Sequence, residues 1–212
     1  MDLGLGIDTG GTYTDTALVD LSTGKVLAKA KALTTRNDLS IGISESITNM
    51  GKVPLSDIRL VSLSSTLATN SVVEGKGCRV ALIIAGEEYK ESVPVEHVVQ
   101  IQGGHTIRGA ANCPVDLEAA KDFVAGIADQ VDAIAISTFF SVRNPEHENA
   151  LKQMIASNWD LPVVCGHELS TQLGFHERTL TAVLNAKLIP IKAELIHSVR
   201  KVLTDFHIAA PL

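Results

Sequence analysis

Eight residues near the start of the chain, Asp8–Asp15 with the sequence DTGGTYTD, bring together a carboxylate, two adjacent glycines and several hydroxyls. Glycines allow backbone geometries that other residues avoid, and the successive amides of such a turn form a concavity that suits phosphate oxygens. Asp8 ends an apolar stretch, so its carboxylate is expected to project from the edge of a sheet towards a metal ion. Alternation along the following strand predicts that Thr12 and Thr14 lie on one side. The predicted phosphate-binding residues are Thr9, Gly10, Gly11, Thr12 and Thr14.

Two other nucleotide-binding patterns do not fit this run. The lysine of the GxxxxGK[ST] loop is absent. The glycines are followed by a predicted strand, whereas a dinucleotide-binding fingerprint needs a helix at that place. An ordinary Gly-Gly hairpin with polar edges remains open as the alternative. The preceding acid and the two threonines favour phosphate binding.

Three consecutive strands joined by tight turns are predicted to position this run. The apolar residues 3–8 are followed by residues 13–20, and a turn with Gly24 leads to the alternating residues 26–33. The patterns downstream predict a helix capped by Asn37 or Asp38, a strand at 60–63, a short helix within 65–74 and a buried strand at 79–85.

The second half of the chain alternates helical and strand-like patterns after an irregular excursion at about 86–115. The predicted elements are a helix capped by Asp116, a buried strand at 131–138, a helix beginning at Asn144-Pro145, a short strand at 163–165 and a helical stretch over 175–206 that Pro190 kinks or splits. Three antiparallel strands followed by such alternation are typical of a ribonuclease H-like α/β lobe, with a mixed sheet and helices on both faces. We expect residues 1–212 to form a single lobe of this kind.

The composition excludes some classes of function. Lys and Arg are scattered and the net charge is −6, which argues against binding to nucleic acid. Cys78, Cys113 and Cys165 are far apart and lack CxxC spacing, as is typical of reduced thiols in a cytosolic protein. The longest apolar runs are too short to cross a bilayer. We therefore expect a soluble, cytoplasmic protein with no membrane partner.

Several stretches of the chain resemble motifs of known families. GIDTGGTYTD at residues 6–15 resembles the phosphate-binding signature of the actin-like ATPase superfamily. SSTLATNS at 64–71, SVRNPEHE at 141–148, and HERT at 176–179 with VLNA at 183–186 resemble motifs of the hydantoinase/oxoprolinase family. These motifs follow the family's order and span most of the chain, so the sequence is identified as the N-terminal region of such a protein.

The resemblance implies an enzyme that couples ATP hydrolysis to the opening of cyclic amides such as hydantoins or 5-oxoproline. It implies ATP and Mg²⁺ as cofactors, with Asp8 as the catalytic residue that handles the metal-bound nucleotide. A subunit of an ATP-dependent ketone carboxylase is an alternative enzyme, and a non-catalytic nucleotide-sensing or chaperone-like module is an alternative of another class.

The resemblance also predicts that a second lobe is missing from this chain. No second DxGG-like turn follows Asp15. We expect the remaining lobe of the same protein, or a partner subunit, to complete the nucleotide site. The 212-residue chain alone is then expected to bind ATP weakly and to be inactive.

Further polar residues are candidates for contact with substrate. Thr66, Thr69 and Asn70 follow a predicted strand, where they contact a ligand or cap the next helix. His105 follows two glycines and lies either near the substrate or, as the commoner case, facing solvent. Glu177 and Arg178 belong to a predicted polar cluster at the start of a helix.

Overall fold

The computed structural model describes residues 2–212, which form two compact units. The first unit consists of residues 2–75 together with Ile191–Leu212, and the second unit is Lys76–Pro190. The strands are β1 (Leu3–Thr9), β2 (Tyr13–Asp20), β3 (Val26–Leu33), β4 (Ile58–Ser65), β5 (Val80–Ala85), β6 (His97–Ile101), β7 (Ala133–Thr138) and β8 (Val163–Cys165). The α-helices are α1 (Leu39–Thr48), α2 (Leu67–Val73), α3 (Leu117–Ile127), α4 (Glu146–Asn158), α5 (Phe175–Lys187) and α6 (Ile189–Asp205).

The sheet of the first unit has the order β3-β2-β1-β4. Its first three strands are antiparallel, as predicted, and β4 runs parallel to β1. Alternation divides its side chains between two faces. One face packs against α1 and α6 in a core that includes Leu5, Ile7, Ile43 and Val199. The other face, here named the open face, carries small and charged side chains.

Hydrogen bonds fix the start of α1 and the path of the last residues of the chain. Asp38 caps α1, because its Oδ1 accepts a hydrogen bond from the Ser40 amide at 2.9 Å. After α6, the chain runs beside β4, where the Val61 amide donates to the Pro211 carbonyl at 2.9 Å. The last residues therefore approach the edge of the sheet that β4 would otherwise leave unpaired.

The sheet of the second unit has the order β6-β5-β7-β8 and is parallel throughout. Every residue of β5 and β7 is buried, as expected for central parallel strands covered on both faces. Leu82 and Ile84 face α5, whereas Ile83, Ile134 and Ile136 face α3 and α4. This unit places helices on both faces of its sheet.

The α/β class and the mixed sheet that opens with three antiparallel strands are confirmed. The predicted irregular excursion contains β6, and the long helical stretch is divided at Leu188 into α5 and α6, with Pro190 in the first turn of α6. The assignment of both units to one lobe stays a prediction. Within residues 2–212, no helix combines the length and apolar character needed to cross a membrane.

Candidate functional site

The turn between β1 and β2 leaves two backbone amides available. Its closing hydrogen bond runs from the Gly10 amide to the Tyr13 carbonyl at 2.9 Å, and the Thr34 amide donates to the Thr12 carbonyl at 2.9 Å. Within residues 2–212, the amides of Gly11 and Thr12 have no hydrogen-bond acceptor. Consecutive free amides in a tight turn form the kind of concavity that binds oxyanions.

Polar side chains border this turn closely. A Cβ atom placed on Gly11 would lie 2.9 Å from Asn70 Nδ2 and 3.8 Å from Arg36 Nη2. Arg36 Nη2 also donates to the Gly11 carbonyl at 3.5 Å. A Cβ atom on Gly10 would lie 3.7 Å from Thr66 Oγ1. The glycine pair therefore leaves room beside donor groups that larger residues would fill.

Asp8 is the next-to-last residue of β1, near the carboxyl end of the strand, and it lies on the open face of the first sheet. Its side chain is exposed, and its Cα partners in the neighbouring strands are Asp15 and Ser64. Asp15 forms an ion pair with Lys31 at 3.2 Å, whereas Asp8 has no ion-pair partner in the described part of the chain. Both carboxylates line a cavity of about 680 Å³. Asp8 is thus available to a metal ion or a ligand.

The three predicted threonines of the turn occupy different environments. Thr12 is exposed, whereas Thr14 lies in the packed face, where its hydroxyl is 3.0 Å from the hydroxyl of Thr34. The prediction that Thr12 and Thr14 lie on one side is therefore wrong, because the strand begins only at Tyr13. Thr9 is also buried, and its hydroxyl has no partner within residues 2–212. A phosphate contact by these side chains stays a prediction.

Thr66, Thr69 and Asn70 are exposed at the start of α2. The side chain of Thr66 makes no capping hydrogen bond, because Ser65 Oγ accepts from the Leu67 amide at 3.0 Å instead. Ser65 Oγ in turn donates to the Thr9 carbonyl at 2.7 Å, which ties the ends of β1 and β4 together. Thr66 and Asn70 are consequently brought to the turn, while Thr69 shows no contact with it.

His105 is fully buried in the second unit, which overturns the expectation that it faces solvent. Gly103 and Gly104 have φ values of 143° and 77°, and this conformation turns the chain inward after β6. The His105 amide then donates to the Phe139 carbonyl at 2.9 Å. Its ring stacks on that of His147, with the centroids 4.1 Å apart.

The predicted polar cluster at the start of α5 is divided by burial. Arg178 is 2% exposed, whereas Glu177 is exposed at the surface of the helix. His105 and Arg178 lie in the second unit, and the glycine turn lies in the first. The predicted substrate residues therefore fall into two groups, one in each unit.

The sequence patterns did not single out Glu148 or His147 as candidate functional residues. Both are buried. Glu148 Oε1 accepts from the Thr138 amide at 2.8 Å, and Oε2 accepts from the His167 amide at 2.9 Å and lies 2.5 Å from His167 Nδ1. Glu148 precedes Leu151 by three residues and Ile155 by seven, and this spacing places Glu148 on the apolar side of α4. The spacing could therefore have indicated from the sequence that Glu148 is buried.

Glu148, Cys165 and His167 have donor atoms within 4.8 Å of one another. Both carboxylate oxygens of Glu148 already accept hydrogen bonds. Burial raises the pKa of the Cys165 thiol to about 12, so the thiol stays protonated at neutral pH. The arrangement is a hydrogen-bonded cluster that joins α4 to the end of β8.

Acidification is expected to destabilise the second unit. Burial lowers the pKa of His105, and burial with the neighbouring His105 lowers the pKa of His147. Because the unfolded imidazoles keep a pKa of about 6.5, the unfolded chain binds more protons below that value. The free energy of unfolding, measured with urea, should therefore fall as the pH decreases through about 6.5.

The variant His147→Asn tests this origin, because asparagine keeps an acceptor for the Gly104 amide, which donates to His147 Nδ1 at 3.0 Å. The pH dependence should weaken in this variant. The exposed His197 of α6 provides the matched control, and His197→Asn should leave the pH dependence as it is. An unchanged slope in His147→Asn would contradict the assignment.

Comparison of the sequence with known proteins assigns the chain to a family. Residues 4–159 match the model of the hydantoinase/oxoprolinase N-terminal region. The chain is 31% identical to the caprolactamase subunit alpha of Pseudomonas jessenii, over 92% of the chain and 32% of that protein. It is 27% identical to the acetophenone carboxylase gamma subunit of Aromatoleum aromaticum, over 86% of the chain and 30% of that protein.

Solved structures agree with this assignment. The crystal structure of the ATP-dependent caprolactamase from Pseudomonas jessenii matches with a TM-score of 0.73 and 29% identity, covering 99% of the chain and 34% of that structure. The chain thus spans about one third of the length of these relatives. It belongs to the hydantoinase/oxoprolinase family and contains the family's N-terminal region.

Proposed function

We propose that the Gly10-Gly11 turn binds the phosphates of ATP, and that the chain is the nucleotide-phosphate-binding lobe of an enzyme that opens cyclic amides of the hydantoin or 5-oxoproline type. One observation carries the proposal: the free amides of Gly11 and Thr12 lie beside the donor groups of Arg36 and Asn70. Main-chain amides and a guanidinium together suit a polyphosphate, which presents only acceptor oxygens.

Asp8 is proposed as the residue that handles the metal-bound nucleotide. Magnesium in nucleotide sites is held by one or two carboxylates together with phosphate oxygens, and Asp8 and Asp15 supply two carboxylates on one face of the sheet. The fit rests on the exposure of Asp8 and its lack of an ion-pair partner within residues 2–212. When bound, the ion would neutralise charge that develops on the phosphates.

ATP would contribute to amide opening by activating the carbonyl. Transfer of the γ-phosphoryl group of ATP to the amide oxygen would release ADP and make the carbonyl carbon more electrophilic. Water would then add to that carbon, and the C–N bond would break with the ring nitrogen leaving as a protonated amine. Hydrolysis of the remaining acyl phosphate by a second water would release phosphate and the carboxylate. The residues of this chain would then position the phosphates and hold them away from water. The rest of the protein, or a partner subunit, is proposed to supply the substrate contacts and to close over the nucleotide.

A second candidate is a subunit of an ATP-dependent ketone carboxylase, which the similarity to an acetophenone carboxylase gamma subunit favours. Both reactions would use the same turn, because each begins by activating an oxygen with ATP. The substrate that stimulates ATP hydrolysis distinguishes them.

The test is an ATPase assay on the complete protein with its partner subunits. Hydantoin, 5-oxoproline and caprolactam form one set of substrates, and acetone or acetophenone with bicarbonate forms the other. Stimulation by the first set supports the proposal, and stimulation by the second alone supports the carboxylase. ATP binding without stimulation by either set would leave a nucleotide-sensing module. The chain of 212 residues alone should bind ATP weakly, and micromolar affinity in calorimetry would contradict that expectation.

A further inference from the structure

Unpartnered polar atoms gather at the carboxyl end of β7 in the second unit. Buried polar groups in folded proteins almost always have hydrogen-bond partners. Within residues 2–212, seven buried side-chain atoms have none, and six of them lie in this unit. Apart from His176 Nδ1, these atoms belong to four residues near the end of β7. The five atoms are His105 Nδ1 and Nε2, Thr138 Oγ1, Ser141 Oγ and Arg178 Nε.

Hydrogen bonds to the backbone of residues 138–141 bring these four residues close together. Thr138 ends β7, and its carbonyl accepts from the Ser141 amide at 3.1 Å and from Arg178 Nη2 at 3.4 Å. The next carbonyl, of Phe139, accepts from the His105 amide at 2.9 Å. Each of the four side chains is at most 2% exposed. They are therefore a cluster and not scattered exceptions.

The charge of this cluster is unbalanced. The guanidinium of Arg178 donates only to the carbonyls of Gln172, Gly174 and Thr138. In the described chain no carboxylate lies within ion-pair distance of the Arg178 guanidinium. The buried carboxylate of Glu148 is instead bound to His167 and to the Thr138 amide. A buried cation without an anionic partner is costly, so an anion placed here would be favoured.

The location agrees with a ligand site. Open parallel sheets bind ligands at the carboxyl ends of their strands. Two of the connections at this end are built from glycines in close contact, because a Cβ atom on Gly86 would lie 2.6 Å from the Cα atom of Gly104. A cavity of about 450 Å³ at this end of the sheet is lined in part by Gly86 and Gly103.

We propose that this cluster, named here the β7 site, binds a small oxyanion, either a carboxylate or a phosphate group. Two hydroxyls, the Nε–H of Arg178 and an N–H of His105 are all able to donate to such a ligand. The β7 site lies in the second unit and does not depend on the phosphate turn of the first.

Calorimetry on the 212-residue chain, with sodium acetate and sodium phosphate as separate probes and sodium chloride as the reference, tests the β7 site. One of the two anions should bind at a single site with a dissociation constant of about 1 mM or lower. Binding of acetate identifies a carboxylate ligand, and binding of phosphate that persists in the Gly10→Val variant identifies a phosphoryl ligand. The absence of binding by both anions would overturn the proposal.

The variant Thr138→Val removes one hydroxyl with little change of shape, and it should weaken binding about tenfold. Ser137→Ala is the matched control, because the neighbouring hydroxyl of Ser137 already pairs with Thr179 at 2.7 Å, and anion affinity should be unchanged. Gly10→Val in the other unit should also leave it unchanged, which separates this site from the phosphate turn. Equal affinity in Thr138→Val and wild type would refute the assignment, as would a crystal structure with ordered waters alone beside Thr138.

Discussion

Replacing Asp8 with asparagine should lower the ATPase activity of the complete protein about a hundredfold or more, the scale observed when an electrostatic group is removed from a catalytic site. Asparagine keeps the size of the side chain but removes the charge that would hold a metal-bound nucleotide. Asp8 is exposed and without an ion-pair partner in the part of the chain that the structure describes. The free energy of unfolding should therefore change by no more than about 0.5 kcal/mol.

Steady-state ATPase assays and urea unfolding of the same preparation provide the measurements for Asp8→Asn. The exposed Asp122 in α3 offers a matched control, and Asp122→Asn should keep wild-type turnover. Wild-type turnover in Asp8→Asn would remove Asp8 from the site. A large loss of stability would instead show that its role is structural.

The second large effect is expected from Gly10→Val. A Cβ atom at this position would lie 3.0 Å from the Tyr13 carbonyl, the acceptor of the hydrogen bond that closes the turn. Since this neighbour is backbone, the turn itself must shift, and the amides of Gly11 and Thr12 shift with it. Strain of about 1–3 kcal/mol corresponds to a roughly 5- to 150-fold loss of ATP affinity.

Calorimetric titration of the complete protein with ATP measures this loss. Gly126→Ala is the control, because a Cβ atom there meets nothing within 4 Å and the residue lies in α3. That change should stabilise the protein by about 1 kcal/mol and leave ATP affinity as it is. If Gly10→Val binds ATP as tightly as wild type, the turn is an ordinary hairpin and the phosphate site must be sought elsewhere.

Most of the secondary structure could be predicted from local patterns. Alternation over residues 26–33, the cap at Asp116 and the Asn144-Pro145 helix start each depend on neighbours in sequence, and β3, α3 and α4 form where these signals occur. The prediction that Thr12 and Thr14 lie on one side failed for a different reason. Strand alternation was applied to Thr12, but the strand begins only at Tyr13, and the exact start of an element is the part of a local pattern that is least well defined.

The candidate site shows the same division. Glycines next to an acid at the end of a strand predicted a turn suited to phosphate, and the structure has the free amides there. Sequence patterns also predicted that Thr66 and Asn70 follow a strand. Their closeness to Gly10 and Gly11 depends on the parallel pairing of β1 with β4, which joins residues more than 50 positions apart.

By itself, the sequence determined the three-strand opening, the Gly-Gly turn between β1 and β2 and the family, because each depends on residues that are adjacent or regularly spaced. Only the tertiary structure decided that His105 and Arg178 are buried, that Glu148 is bound to His167, and that the chain forms two units. Burial and pairing arise from contacts between residues far apart in the chain. A loop histidine has the same local sequence whether it faces solvent or stacks on a second imidazole.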